Sequence, residues 1–304
     1  MQPARARTAA RRSVTPQALL RLLSCIRFDE VLVLQGAPLL GALFSVGTFT
    51  ASRAVDVVML VFGSCLLVSH VFVLNDWSGM SADLQDPNRA SSVFVSRGVS
   101  RTEVGRLWIT LLAFGLLLFA MLGFEPLIIG LSISIASALY SAPVSHAKGI
   151  PLLNSFLHLM GGTLHFLLGY SVFHPVDGRG IVIGSFFGLT FMAGHLTHEA
   201  RDREGDLVNG IQTNAVTFGA FGNFVAGLAL FTSADVLLVI LAFRGVVPRM
   251  LMIVAAFYPF HFYWSLRVLH RGLSFENIRQ LQLRYRALYA AIGLTMALAV
   301  LLSH

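Results

Sequence analysis

The sequence predicts an all-α polytopic membrane protein with about nine transmembrane helices around a central cavity. Three observations carry that prediction. Of 304 residues, 56% are hydrophobic and only 12% charged, whereas about a quarter of an ordinary globular chain is charged. The mean hydropathy is +0.74. Apolar stretches of roughly the 20 residues that one helical crossing requires recur along the whole chain, separated by short polar pieces. There is no strand-like alternation of the kind a membrane barrel needs. No linker or shift in composition divides the chain, so residues 1–304 are expected to form a single domain.

Taken in order, residues 1–26 read as a basic cytoplasmic arm. Met1 to Ser13 is rich in Arg and Ala like the start of a signal peptide. Thr15 to Glu30 is instead amphipathic and charged, with no short apolar run leading to a small-residue cleavage site. Hydropathy then places spans at about 31–50, 57–75, 107–124, 126–144, 152–173, 180–198, 221–243, 246–266 and 286–303. The third and fourth are joined through Gly123 to Pro126, which predicts a tight helical hairpin.

The basic residues set the orientation. With the N-terminus inside, the cytoplasmic segments hold Arg5, Arg7, Arg11, Arg12, Arg21 and Arg27; Arg89, Arg97, Arg101 and Arg106; Lys148; Arg201 and Arg203; and Arg267, Arg271, Arg279, Arg284 and Arg286. Arg53, Arg179, Arg244 and Arg249 fall outside. This asymmetry follows the positive-inside rule. It also accounts for the net charge of +7 without a nucleic-acid partner, because the charges are spread over many loops. Cys25 and Cys65 stand far apart in no ligand spacing, which excludes a disulfide framework and a zinc site.

Two acid-rich segments then fall on the cytoplasmic side, roughly 120 residues apart, each where an apolar span ends. In the first, Asn75-Asp76-Trp77-Ser78-Gly79-Met80-Ser81-Ala82-Asp83, Asp76 and Asp83 share a helical face that Asn75 borders. In the second, Glu199-Ala200-Arg201-Asp202-Arg203-Glu204-Gly205-Asp206, three carboxylates follow the 3, 4 spacing of one face. Like charges on one face cost free energy unless a cation neutralises them. Oxygen-only ligands on helices suit Mg²⁺, with Mn²⁺ as the alternative, and Mg²⁺ completes its shell with water and phosphate oxygens. Two such faces could grip a diphosphate and stabilise its departure. An allylic cation left behind needs a dry, aromatic-lined cavity, which 24 Phe residues help to supply.

At these residues the sequence resembles the UbiA superfamily of intramembrane prenyltransferases. Asn75, Asp76 and Asp83 match its first motif, Asn-Asp-x-x-Asp-x-x-x-Asp. Glu199, Asp202 and Asp206 match the second, with Glu for the leading Asp. Further similarities are Arg27 ahead of Gly36, Pro38 and Gly41; Tyr140-Ser141-Ala142-Pro143 ahead of Lys148; and Glu204-Gly205-Asp206 continuing to Gly210, Thr213 and Phe218-Gly219. The resemblance covers most of the chain. It implies a Mg²⁺-dependent integral membrane enzyme, of a bacterial-type inner or plasma membrane, whose active site faces the cytoplasm. Such an enzyme moves a prenyl group from an isoprenoid diphosphate to an aromatic or other lipophilic acceptor.

It further implies Asp76, Asp83, Asp202 and Asp206 as catalytic acids, and these four with Asn75 and Glu199 as metal ligands. Arg27, Lys148, Arg89, Arg97 and Arg201 are expected on the diphosphate, and Asn154, His195 and His198 around the acceptor. His158 and His165, seven apart, read as polar residues lining a cavity or bonding a neighbouring helix, and Trp77 as an anchor at the membrane interface. Two departures stand out. Gly79 replaces the middle Asp of the first motif, which should weaken one metal site or leave it dependent on Asp83, Asp86 and Asn75. Ser92-Val93 replaces a basic-Pro pair. Two rival readings remain: a membrane terpene cyclase using the same ionisation, and a non-enzymatic transporter with an ion path. Oligomeric state has no signature in the sequence.

Overall fold

In the computed structural model, the structure describes residues 16–48, 50–86, 89–142 and 147–303. Arg5, Arg7, Arg11, Arg12 and Pro143 lie outside the described residues. Those described form helices α1 (Pro16–Leu23), α2 (Phe28–Leu34), α3 (Gly36–Ser45), α4 (Ala51–Asp83), α5 (Arg101–Leu122) and α6 (Phe124–Ser141). They continue with α7 (Leu153–Tyr170), α8 (Gly178–Val208), α9 (Asn214–Phe218), α10 (Ala220–Phe243), α11 (Tyr258–Arg271) and α12 (Phe275–Leu301). Short 3-10 turns cover Ala90–Ser92, Phe94–Arg97 and Ala147–Gly149, and a longer one covers Arg249–Phe257. No strand occurs among the described residues.

Seven stretches are long and apolar enough to cross a bilayer: 28–45, α4, α5, α6, α8, α10 and α12. The protein is an integral membrane protein. Helix α7 occupies the fifth predicted span, and the 3-10 run Arg249–Phe257 continuing into α11 occupies the eighth. That eighth span is not one α-helix because Pro248 precedes the run and Pro259 stands in the first turn of α11, where its missing N–H is tolerated. The first predicted span is likewise broken, at Gln35 between α2 and α3. The predicted hairpin is present: a single residue, Gly123, separates α5 from α6.

Helix α4 packs along α5, α7 along both α3 and α8, and α8 along α10, while α12 returns to α3. Helices α3 and α7 meet backbone to backbone. A Cβ on Gly169 would strike the Pro38 carbonyl, and one on Gly41 the Phe166 carbonyl. Small residues allow such close approach where lipid supplies no hydrophobic drive between helices. Outward faces remain apolar, with Phe62, Phe114, Met121, Phe124, Phe243 and Leu294 all exposed, as a lipid-facing surface requires.

Helices α4 and α8 hold 33 and 31 residues, about 50 and 46 Å at 1.5 Å per residue. A hydrocarbon core is only about 30 Å thick. The surplus turns carry the acids: Asp76 and Asp83 lie in the last eight residues of α4, and Glu199, Asp202 and Asp206 in the last ten of α8. The predicted spans end at 75 and 198, whereas the helices run on through both motifs, as the helical spacing of the acids requires.

Candidate active site

The two acidic helix ends meet. Asn209, just past α8, donates from Nδ2 to the Ala82 carbonyl of α4 at 3.2 Å. One side chain then joins the motifs: Arg89 donates from Nη1 to Asp83 Oδ1 at 3.4 Å and from Nη2 to Asp202 Oδ2. Its Nε stands 3.8 Å from Asp86 Oδ2. Burial works against the charge on Arg89, but Asp202, Asp83, Asp86 and Asp206 outweigh it and raise its pKa above the ordinary guanidinium value.

On α4, Asp76 is the partner of Arg27, which donates from Nη2 to Oδ1 and from Nε to Oδ2 at 3.3 Å. Arg27 is the residue before α2, and it also lies 3.7 Å from Glu30. Burial opposes its charge, and Asp76 and Glu30 restore and exceed it, so its pKa is raised. Asn75 Oδ1 accepts from Ser141 of α6 at 3.5 Å. Trp77 points to α5, donating to the Arg101 carbonyl at 3.0 Å, with Arg101 over its ring.

On α8, Asp202 also takes Arg201 through both oxygens, at 2.7 and 2.9 Å. Arg201 continues to Gln282 of α12 at 2.6 Å. Asp206 is buried and faces Lys148 Nζ at 3.7 Å. Arg203 turns away and donates to the Ala215 carbonyl.

Glu199 is different in kind. It is 5% exposed, and its oxygens accept from Asn154 Nδ2 at 2.5 Å and Asn214 Nδ2 at 2.9 Å. His195 Nε2 stands 3.2 Å away without hydrogen-bond alignment. Asn154, expected in an acceptor pocket, is wholly buried and fully engaged: Nδ2 also donates to the Lys148 carbonyl, and Oδ1 accepts from Asn214 and Ser155. It therefore offers no polar atom to a ligand. The reason is packing, because the amide that stabilises Glu199 must lie in the α7–α8 interface.

His195 does line up with other rings. It stacks on His158 at 3.7 Å between centroids, and Tyr140 of α6 meets both edge-on at 5.0 and 6.2 Å. His158 Nδ1 donates to the Asn154 carbonyl at 2.8 Å, which leaves Nε2 as its lone-pair nitrogen. His198 is half-buried and outside this stack. His165 bonds Ser64 of α4 at 2.9 Å, the helix-bonding role read for it from the sequence.

Arg97, also expected on the diphosphate, has a partner elsewhere. It donates to the Ser24 carbonyl at 2.6 Å and so clamps the 3-10 turn to the α1–α2 junction. Asn214 and Asn209 were missed altogether. Neither belongs to a spaced motif, and only their nearness to Thr213 and Gly210 in the matched run pointed to them.

Among the described residues no three carboxylate, His or Cys side chains already converge as a preformed metal cage. The guanidinium of Arg89 lies between them instead. The donor set itself is all oxygen and drawn from two rigid helices, which fits a hard divalent cation whose shell is completed by phosphate oxygens.

The model of the UbiA prenyltransferase family matches residues 37–281. Among solved structures, a UbiA homolog from Archaeoglobus fulgidus bound to GPP and Mg²⁺ superposes with a TM-score of 0.72 at 17% identity, covering 91% of this chain and 99% of that one. A UbiA homolog from Aeropyrum pernix K1 gives 0.69 at 17%, covering 91% and 99%. A digeranylgeranylglyceryl phosphate synthase gives 0.67 at 17%, covering 93% and 98%. No curated protein matches the chain.

Proposed function

Because the chain belongs to the UbiA prenyltransferase family, we propose that it is an integral membrane enzyme transferring a prenyl group from an isoprenoid diphosphate to a lipophilic or aromatic acceptor. We read its active site as facing the cytoplasm, with Mg²⁺ as its metal and Mn²⁺ able to replace it. One observation carries the reading: a single cationic side chain, Arg89, is shared by Asp83 of the first motif and Asp202 of the second. Two carboxylate faces so close can bind one polyanion between them. The solved relative bound to GPP and Mg²⁺ supports the ligand class.

Asp76, Asp83, Asp202 and Asp206 would hold the metal, with Asn75 at the edge. Bound there, Mg²⁺ neutralises charge building on the leaving diphosphate. Glu199 acts behind them as a positioning residue, since its amide partners fix the register of α8 against α7. Lys148, Arg27 and Arg89 reach the acids from three separate segments, so each can exchange a carboxylate for a phosphate oxygen when substrate enters. Arg201, bidentate on Asp202, orients that carboxylate. The C1–O bond of the donor breaks, the acceptor bonds to C1, and the acceptor's proton leaves. Tyr140, beside the stacked His158 and His195, supplies an aromatic ring near Glu199, where a developing cation gains from the ring quadrupole.

The missing carboxylate at Gly79 keeps cyclisation as the second reading. Incubating the purified protein with geranyl, farnesyl and geranylgeranyl diphosphates, with and without pooled phenolic, quinol and alcohol acceptors, separates the two. Turnover only when an acceptor is present supports transfer, and a cyclic product from donor alone supports cyclisation. If Asp202→Ala and Asp206→Ala retained Mg²⁺-dependent diphosphate binding, both readings would fall and a transporter would remain.

A further inference from the structure

The first motif lacks its middle carboxylate, yet a buried carboxylate stands close by. We propose that Asp86 supplies the metal-binding carboxylate that position 79 does not. This rests on the Mg²⁺–diphosphate reading of the same site.

Four observations point to it. Asp86 is only 6% exposed, and a carboxylate taken out of water requires a cation or hydrogen-bond donors. Its backbone is fixed: its N–H donates to the Ala82 carbonyl at 3.2 Å, and its own carbonyl accepts from Arg89 and Ala90 at 3.0 and 2.9 Å. The turn after α4 thus delivers its side chain to α8. There it lies in a notch, because a Cβ on Gly205, between Asp202 and Asp206, would strike the Asp86 carboxylate. Finally, Asp86 surrounds the Arg89 guanidinium together with Asp83 and Asp202. Three carboxylates, from α4, the turn after it and α8, already share one cationic partner. When Arg89 moves to a diphosphate oxygen, they are left around the space it occupied. Position 79 itself is open, with only Asp83 Oδ2, at 3.6 Å, near a Cβ built there. Packing does not forbid a carboxylate at 79, so one can be restored.

The test titrates Mn²⁺, read by electron paramagnetic resonance, into the detergent-purified full chain with inorganic pyrophosphate. Asp86→Asn keeps the size of the side chain and should weaken Mn²⁺ binding at least about tenfold. Adding Gly79→Asp to that variant should restore it to within about threefold of the unaltered protein. Gly79→Asp alone, with Asp86 still present, should change binding less than about twofold. Binding by Asp86→Asn equal to the unaltered protein overturns the proposal. So does a loss that Gly79→Asp fails to repair, which would make Asp86 a packing residue. Were Asp86→Asn not to fold, Gly79→Asp alone still decides, because a tenfold gain there means the carboxylate is missing rather than replaced. Failure of the unaltered protein to bind Mn²⁺ with pyrophosphate, or retention of binding in Asp202→Asn, overturns the underlying reading instead.

Discussion

The two acidic helix ends differ in how their leading acid is held. At the end of α4, Asp76 and Asp83 are one-fifth exposed and secured by guanidinium groups from elsewhere, Arg27 before α2 and Arg89 in the following loop. At the end of α8, Glu199 is buried among neutral amides from α7 and α9. Ion pairs made by guanidinium groups on separate segments can be exchanged for a phosphate oxygen, whereas amide bonds to a buried carboxylate are costly to break. On the proposed reading, the α8 motif is the fixed jaw of the site, and the α4 motif, with Arg27 and Arg89, is the jaw that adjusts when a diphosphate arrives.

The largest expected effect removes a carboxylate that both jaws share through Arg89. Asp202→Asn should lower turnover on the order of a hundredfold or more, the scale of losing one preorganised electrostatic group, with melting temperature little changed. A comparable loss from Glu199→Gln would erase the distinction between a ligand and a strut. Glu199→Ala should behave differently, destabilising the protein by about 1–3 kcal/mol because Asn154 and Asn214 lose their acceptor in the interior. Thermal unfolding in detergent measures this, and unchanged unfolding would mean that α8 is not fixed by these amides.

Arg89→Ala tests the adjustable jaw. Without its guanidinium, Asp83, Asp86 and Asp202 repel one another in the metal-free protein. Mg²⁺ alone should then raise the melting temperature more than it does in the unaltered chain, since the metal takes the place of the missing cation. The diphosphate concentration for half-maximal rate should rise about tenfold, one charge-assisted contact being worth about 1.5–3 kcal/mol. An equal stabilisation in both proteins would show that Arg89 does not hold the jaw in place of the metal.

Much of this was legible in the sequence because lipid imposes a strong local signal. Hydropathy located the spans, and the 3, 4 spacing put Glu199, Asp202 and Asp206 on one face. Arg27, Lys148 and Arg89 do reach the acids. The hydropathy signal ends where lipid ends, so it could not tell that α4 and α8 continue as helices through their motifs. Contacts between distant segments were invisible for a different reason: Asn154 and Glu199 are 45 residues apart and Asn214 and Asn154 are 60 apart, and no spacing rule joins them. Asn154 therefore read as a pocket residue when it is a buttress. The break of the eighth span had a local sign, Pro248 and Pro259, which average hydropathy passes over.

Arg97 gives the smallest expected effect and the most direct check on that lesson. By sequence it stands with Arg89 as a basic residue ahead of α5 and equally fit to meet a diphosphate. In the fold its Nη1 is 2.6 Å from the Ser24 carbonyl, and Arg97 itself is exposed at the α1–α2 junction. Arg97→Ala should accordingly change half-saturating diphosphate less than about twofold, while Arg89→Ala changes it about tenfold. Its cost should fall on the α1–α2 junction and show as faster hydrogen exchange at Ser24 to Arg27. If instead the two arginine variants weakened diphosphate binding alike, Arg97 would have to leave Ser24 in the working enzyme, and the adjustable jaw would extend through the whole loop from Arg89 to Gly98.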